Sequence, residues 1–250
     1  MVIPIGDDNP TRRRPWVCRL LILANVAVFV FLTPWSGGVC EQLAFYLDWA
    51  VVPAELVQGH PLGPRQLAST PAAGCGLGPS LDKDVYATLA TSLFLHGGWL
   101  HLLGNMLYLW VFGDNVEDRY GHLAFLVFYL LSGVVATLAF ALPNAASTST
   151  LVGASGAIAA VLGAYMVLFP RAWVRVAIPF LFFLVVSLPA VLVLGVWFLL
   201  QLQALRPSIV SGGGVAYLAH VGGFVAGIAI TLGFARRRPP VRRSGVPPGW

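Results

Sequence analysis

"HLAFLVFYLLSGVVATLAFAL", residues 122–142, runs for twenty-one residues without an Asp, Glu, Lys or Arg. A helix rises about 1.5 Å per residue, so this stretch matches the roughly 30 Å hydrocarbon core of a bilayer. The rest of the chain has the same character. Of its 250 residues, 58% are hydrophobic and only 10% are charged, against about 25% charged in a soluble domain. Lipid rather than water must solvate most of such a surface, and the length suits one membrane domain. The net charge of +5 does not indicate a nucleic-acid partner, because the arginines gather at the ends of apolar runs, where orientation signals belong.

Six apolar stretches are expected to span: 16–34, 95–113, 122–142, 153–170, 186–205 and 215–235. They define an all-α bundle, flanked by a polar tail over 1–15 and a basic tail over 236–250. The first stretch lacks a small-residue cleavage site and reads as a retained helix rather than a signal peptide. Pro179 and Pro189 break the long apolar run from Val174 to Leu205, so "VAIPFLFF" (176–183) is expected to lie in the interface before the fifth span. With six spans, both termini share a side. Twelve arginines fall there (Arg12, Arg13, Arg14, Arg19, Arg119, Arg171, Arg175, Arg236, Arg237, Arg238, Arg242 and Arg243), against Arg65, Lys83 and Arg206 opposite. That asymmetry makes both termini cytoplasmic. The loop of about 60 residues between the first two spans is then external, with "EQLAFYLDWAVVPAEL" (41–56) as an interfacial amphipathic helix. Cys40 and Cys75 both lie in this loop, where a disulfide is allowed.

Polar groups inside spans are expensive and by default functional. His96, His101 and Asn105 open span two, Ser155 opens span four, and His220 lies early in span six. These three spans run in the same direction, so His101, Asn105, Ser155 and His220 share one shallow layer, roughly 5 to 15 Å below the outer face. His101 and Asn105, four apart, stack on one helix face. Ser155, Ala159 and Gly163 form a small-residue ridge, as do Ala219, Gly223 and Gly227 beside His220. Such ridges let membrane helices approach closely, which would bring His220 within reach of Ser155 as the base an attacking serine needs. Each residue alone also fits plain helix packing, but packing leaves the shared depth unexplained. The histidines lack H-E-x-x-H spacing, and no metal or organic cofactor is indicated.

Ser155 within "GASG" (Gly153–Gly156), His220 within "AHVGG", and "HGGWLHLLGN" (His96–Asn105) together resemble the rhomboid family of intramembrane serine proteases. The resemblance implies a rhomboid-like bundle with a long first external loop, in a cell membrane of the bacterial inner-membrane type. It implies Ser155 as nucleophile and His220 as general base, in a dyad without a third acid. His101, the Asn105 side chain and the Ser155 backbone N–H would form the oxyanion hole, with His96, Gly153 and Gly156 in support. "GDNVEDRYG" (Gly113, Glu117, Arg119, Gly121) resembles a structural family turn and is read as a polar fold lock. Two departures stand out: Ala159 occupies a position where some members place a Tyr against the histidine, and the Trp-Arg pair of some members' first loop is absent. The implied partners are transmembrane protein substrates within the bilayer, and the Pro-broken region near span five is the expected lateral gate. The alternatives are a catalytically silent relative that binds or escorts membrane proteins, and a small transporter.

Overall fold

A computed structural model of the chain describes residues 3–178, 184–211 and 215–237. Pro179 of the expected interfacial stretch and residues 238–250 of the basic tail lie outside the described residues. The chain begins with strand β1 (Ile3–Asp7) and helix α1 (Trp16–Ala27), which a π-helical turn prolongs through Val28–Leu32. The long connection that follows carries α2 (Val39–Trp49), α3 (Pro53–Gln58), α4 (Pro64–Leu67) and α5 (Thr88–Thr91), with a 3-10 turn at Pro71–Cys75. The long helices α6 (Trp99–Tyr120) and α7 (His122–Ala141) follow, then α8 (Ser155–Leu168). A hairpin of β2 (Trp173–Ile178) and β3 (Leu184–Pro189) leads into α9 (Ala190–Ser211) and α10 (Tyr217–Arg237).

The molecule is mostly helical, but the all-α expectation needs correction. β1 pairs antiparallel with β2, Ile3 opposite Ala177 and Asp7 opposite Val174, and β2 pairs with β3. Residues 3–7 of the expected tail are therefore an edge strand, and 173–178 form the central strand rather than an interfacial run. Pro189 closes β3 and the next residue starts α9, four residues later than expected. The first N–H groups of that helix find acceptors outside it: Ala190 N donates to Ala172 O at 2.8 Å and Val191 N to Pro170 O at 3.2 Å. By length and composition, His122–Ala141 is the one helix among the described residues both long and apolar enough to cross a membrane. Trp16–Leu32, Ser155–Leu168, Ala190–Leu205 and Tyr217–Gly233 are apolar but shorter.

The family-like turn after span two is also corrected. α6 continues through Gly113, Glu117 and Arg119, and the chain turns only at Gly121, whose φ of +84° suits glycine. The reason is the start of α1. Its N-cap is Pro15, which offers no capping side chain, so its first N–H groups need an external acceptor. Buried Glu117 supplies it, accepting from Val17 N at 3.0 Å and Cys18 N at 2.7 Å. A carboxylate at a helix N-terminus also meets the positive end of the dipole. Asp118 accepts from Arg12 N and Arg13 N, while Arg119 lies in the last turn of α6. Gly113 keeps α1 and α6 close, since a Cβ there would stand 2.9 Å from Cys18 Sγ.

The expected amphipathic helix over 41–56 is broken in two, with Ala50–Val52 extended ahead of Pro53 at the start of α3. Cys40 and Cys75 are joined by a disulfide that ties α2 to the 3-10 turn. Glu55 and Lys83 form a buried ion pair. Glu55 also accepts from Leu62 N, and Lys83 donates to Leu47 O and Ala50 O, so neither charge is buried without partners. Leu47, Val52, Ala54, Leu62, Leu67 and Ala72 give the loop its own small core. This unit docks on the segment that precedes α8: Leu151 N donates to Val51 O at 2.7 Å and Ala54 N to Ser147 O at 3.0 Å.

Candidate active site

Ser155 is the first residue of α8 and His220 the fourth of α10. What lets them meet is the seam between those helices. A Cβ on Gly223 would fall 2.1 Å from Gly156 O, one on Gly227 2.0 Å from Ala160 O, and one on Gly163 2.3 Å from Phe224 O. Each contact is glycine against backbone, so the helices stand closer than any side chain would permit. On the α8 side of the seam, Gly156, Ala160 and Gly163 are buried. Ala159, one turn after Ser155, is fully buried as well.

At the end of the seam where both helices begin, Ser155 Oγ lies 2.8 Å from His220 Nε2. Residues 65 apart in sequence thus have the hydroxyl–imidazole geometry that activated hydroxyl chemistry requires. The other ring nitrogen, Nδ1, lies 2.8 Å from Oε1 of Gln201 on α9. Trp197 and Tyr217 flank the imidazole, each with its ring centroid 6.1 Å away.

Gly153 lies just before the serine, and its φ of +120° is a conformation that side chains rarely adopt. A Cβ there would also stand 2.8 Å from the His101 ring and 3.7 Å from Ser155 Oγ. The glycine therefore lets His101 lie beside the serine, and its N–H is anchored by Ser92 O at 2.9 Å. The sequence placed His96 on the second helix, but α6 begins at Trp99, and His96 lies in the preceding loop, fully buried. There its Nε2 is 2.9 Å from Asn105 Nδ2, and its ring meets that of His101 edge-on at 5.0 Å. An amide nitrogen can only donate, so His96 accepts from Asn105 and fixes its orientation. Tyr46 of α2 donates to His96 O at 2.8 Å.

His96, His101, Asn105, Gly153 and Ser155 thus form one connected cluster with His220. Glu117 and Arg119 belong to the far end of α6. The Ser155 N–H is among the first four of α8, which have no acceptor within their own helix and point outward with the positive dipole end. Developing negative charge beside Ser155 would be stabilised there. Sequence reasoning missed Gln201, although an uncharged amide within the apolar run "FLLQLQAL" is a signal of the same kind as the histidines. Ser92 and Tyr46, which contribute a backbone carbonyl and a loop hydroxyl, carried no such signal.

One small space opens at the site: a cavity of about 10 Å³ touches Ser155 and Gly156 and is walled by Ser92, Leu93, Val152 and Ala219. A larger one, about 370 Å³, adjoins it at Leu151 and Ala216 and lies between Leu43 and Leu47 of α2, Ser147–Leu151, and Val215–Leu218.

The Rhomboid domain model matches residues 83–237, more than half of the chain. RHOMBOID-like protein 1 of Arabidopsis thaliana is 31% identical over 156 residues, covering 61% of this chain and 39% of the relative. RHOMBOID-like protein 5 of the same plant is 31% identical over 166 residues, covering 65% and 49%. Rhomboid-like protease 5 of Toxoplasma gondii is 34% identical over 150 residues, covering 58% and 16%. The chain spans about half the length of these curated relatives, or less. The matched region contains α6, α8 and α10 with every residue of the cluster around Ser155, and on that ground the chain belongs to the rhomboid family of membrane proteins.

Proposed function

We propose that this rhomboid is a serine endopeptidase that cuts peptide bonds in or beside transmembrane helices of membrane-protein substrates. The observation that carries the proposal is the 2.8 Å approach of Ser155 Oγ to His220 Nε2 across a glycine seam. On this reading six helices span the bilayer, namely α1 with its π-helical extension and α6 to α10, with both termini cytoplasmic in a cell membrane. Ser155 attacks the scissile carbonyl while His220 takes its proton. His101, the Asn105 amide and the Ser155 N–H receive the charge of the tetrahedral oxyanion. His220 then protonates the leaving amine, and water cleaves the acyl-enzyme by the reverse sequence.

A helical substrate hides its carbonyls in i→i−4 bonds, so it must unwind to reach the serine. The larger cavity has room for an unwound segment. The 10 Å³ space beside Ser155 holds about one water-sized group, which favours a small side chain at the bond cut. Entry falls to α9, whose outward residues Val191, Leu192, Leu199 and Leu200 are exposed apolar groups.

Cleavage of a labile model transmembrane substrate by purified protein tests the proposal. Ser155→Ala and His220→Ala are each expected to lower kcat at least about 10³-fold, and a fluorophosphonate should label Ser155 in the wild type. Equal cleavage by all three proteins would eliminate the dyad. Absence of both cleavage and labelling would favour a silent, substrate-binding relative.

A further inference from the structure

His220 has two ring nitrogens, and the dyad uses only Nε2. We infer that Gln201 is a positioning residue for the general base, holding His220 in the one tautomer that can accept the serine proton. The inference rests on the Ser155–His220 reading above.

The argument starts from what each atom can do. Gln201 Oε1 lies 2.8 Å from His220 Nδ1, and Gln201 Nε2 lies 3.4 Å from the Trp197 carbonyl one turn earlier on α9. The carbonyl can only accept, so the amide nitrogen faces it and the amide oxygen faces the histidine. An amide oxygen also only accepts, so the hydrogen of the neutral imidazole is on Nδ1. Nε2 then presents its lone pair to Ser155 Oγ, 2.8 Å away. Without Gln201 the ring is free to carry its hydrogen on Nε2, where it blocks proton transfer. Once His220 has taken the proton, the same amide oxygen faces the cationic ring and stabilises it.

The surroundings explain why the acceptor is an amide. α8, α9 and α10 contain no Asp or Glu. The groups facing His220 are Ser155 from α8, Gln201 and Trp197 from α9, and Tyr217 from its own helix, with His101 of α6 near enough to be felt electrostatically. A carboxylate at this depth would carry the cost of a charge within the bilayer. A neutral oxygen orients the ring without that cost. It also places the third member of the constellation on α9, a helix whose outward face is exposed and apolar, so the state of the base depends on where α9 stands.

The test compares wild type, Gln201→Leu, Gln201→Glu and Ser155→Ala in detergent, with kcat and KM measured over a pH series and ¹⁵N signals of His220 recorded on each protein. Gln201→Leu keeps the volume and removes the acceptor. It is expected to lower kcat on the order of 10- to 100-fold, part of the roughly 10²–10⁴ that a positioned base contributes, with KM within about threefold. Its neutral His220 should show a mixture of the Nδ1–H and Nε2–H tautomers, where the wild type shows Nδ1–H alone. Gln201→Glu restores an acceptor and adds a negative charge, which favours the imidazolium. The acid limb of its kcat profile should move up by about one pH unit or more, with activity returning above that limb. Wild-type kcat in Gln201→Leu, or a loss of kcat with the tautomer unchanged, would overturn the inference. If wild type and Ser155→Ala are equally inactive, it is the protease reading that fails, and the ¹⁵N signals still decide whether Gln201 sets the tautomer.

Discussion

His220 stands between two helices that differ in how they are held. On one side, α8 is buried along its length and pressed onto α10 through Gly156, Gly163, Gly223 and Gly227. It is tied at its far end as well, where Tyr165 donates to Asp7 and Asn115 Nδ2 reaches the same carboxylate at 3.0 Å. On the other side, α9 meets its neighbours through fewer buried side chains and turns a row of exposed leucines and valines outward. A Cβ added to Gly195 in that helix would meet nothing within 4 Å. Ser155 thus comes from the tightly packed element, and Gln201 from the one with more exposed surface. On the proposed protease reading, the contrast separates the precision of the reacting pair from the access its substrate needs.

The sharpest way to break the contrast is to add one methyl to the tight side. In Gly227→Ala the new carbon would stand 2.0 Å from Ala160 O, so backbone must separate. Overpacking of this kind costs about 1–3 kcal/mol, and displacement by an ångström at the dyad costs about 10²-fold in rate. Cleavage should fall by at least that factor and the melting temperature should drop, as a thermal melt beside the activity assay would show. Unchanged activity would mean that the seam does not set the Ser155–His220 distance.

A smaller effect probes the anchor at the far end of α8. Burial raises the Asp7 carboxyl above its usual range, so the folded state holds this proton more tightly than the unfolded chain does. The stabilisation that results is present below the ordinary carboxylate value and is lost as pH rises through the raised one. Asp7→Asn keeps an oxygen for Tyr165 and Asn115 but cannot ionise. Its melting temperature should match wild type near pH 4 and exceed it by a few degrees at pH 8, as melts across that range would show. A constant difference across the range would show that Asp7 does not titrate in the anchor.

The smallest effect belongs to the loose side. Gly195→Ala meets open space and gains about 0.5–1 kcal/mol of helix propensity. Activity should be unchanged and the melting temperature equal or slightly higher. A clear loss of activity would show α9 packed as tightly as α8, and the comparison would dissolve.

Much of the site was legible because its signals are local. A serine, two histidines and an asparagine inside apolar runs are conspicuous, and small residues at every fourth position mark a close helix contact. Gln201 was equally conspicuous by type, yet an uncharged amide attracts less notice than an ionisable group. What could not be read locally was pairing at a distance. The run from Trp173 to Pro189 is apolar enough to suggest the interface, and only residues 3–7, some 170 positions away, make its first half the centre of a sheet. The extent of α6 was hidden for a similar reason. Its charged end looks like a turn until Glu117 is seen capping α1, about 100 residues earlier in the chain.

That sheet also has a consequence for the order of assembly. β1 is synthesised well before the strand it pairs with: Ala177 is added 174 residues after Ile3. At the usual 5–20 residues per second the strand waits roughly 9 to 35 s, and α1, α6, α7 and α8 are all made in the interval. The sheet can therefore be completed only after most of the bundle has been synthesised. In a refolding or translation-arrest experiment, backbone amides of residues 3–7 should be the last of the N-terminal half to gain protection from exchange.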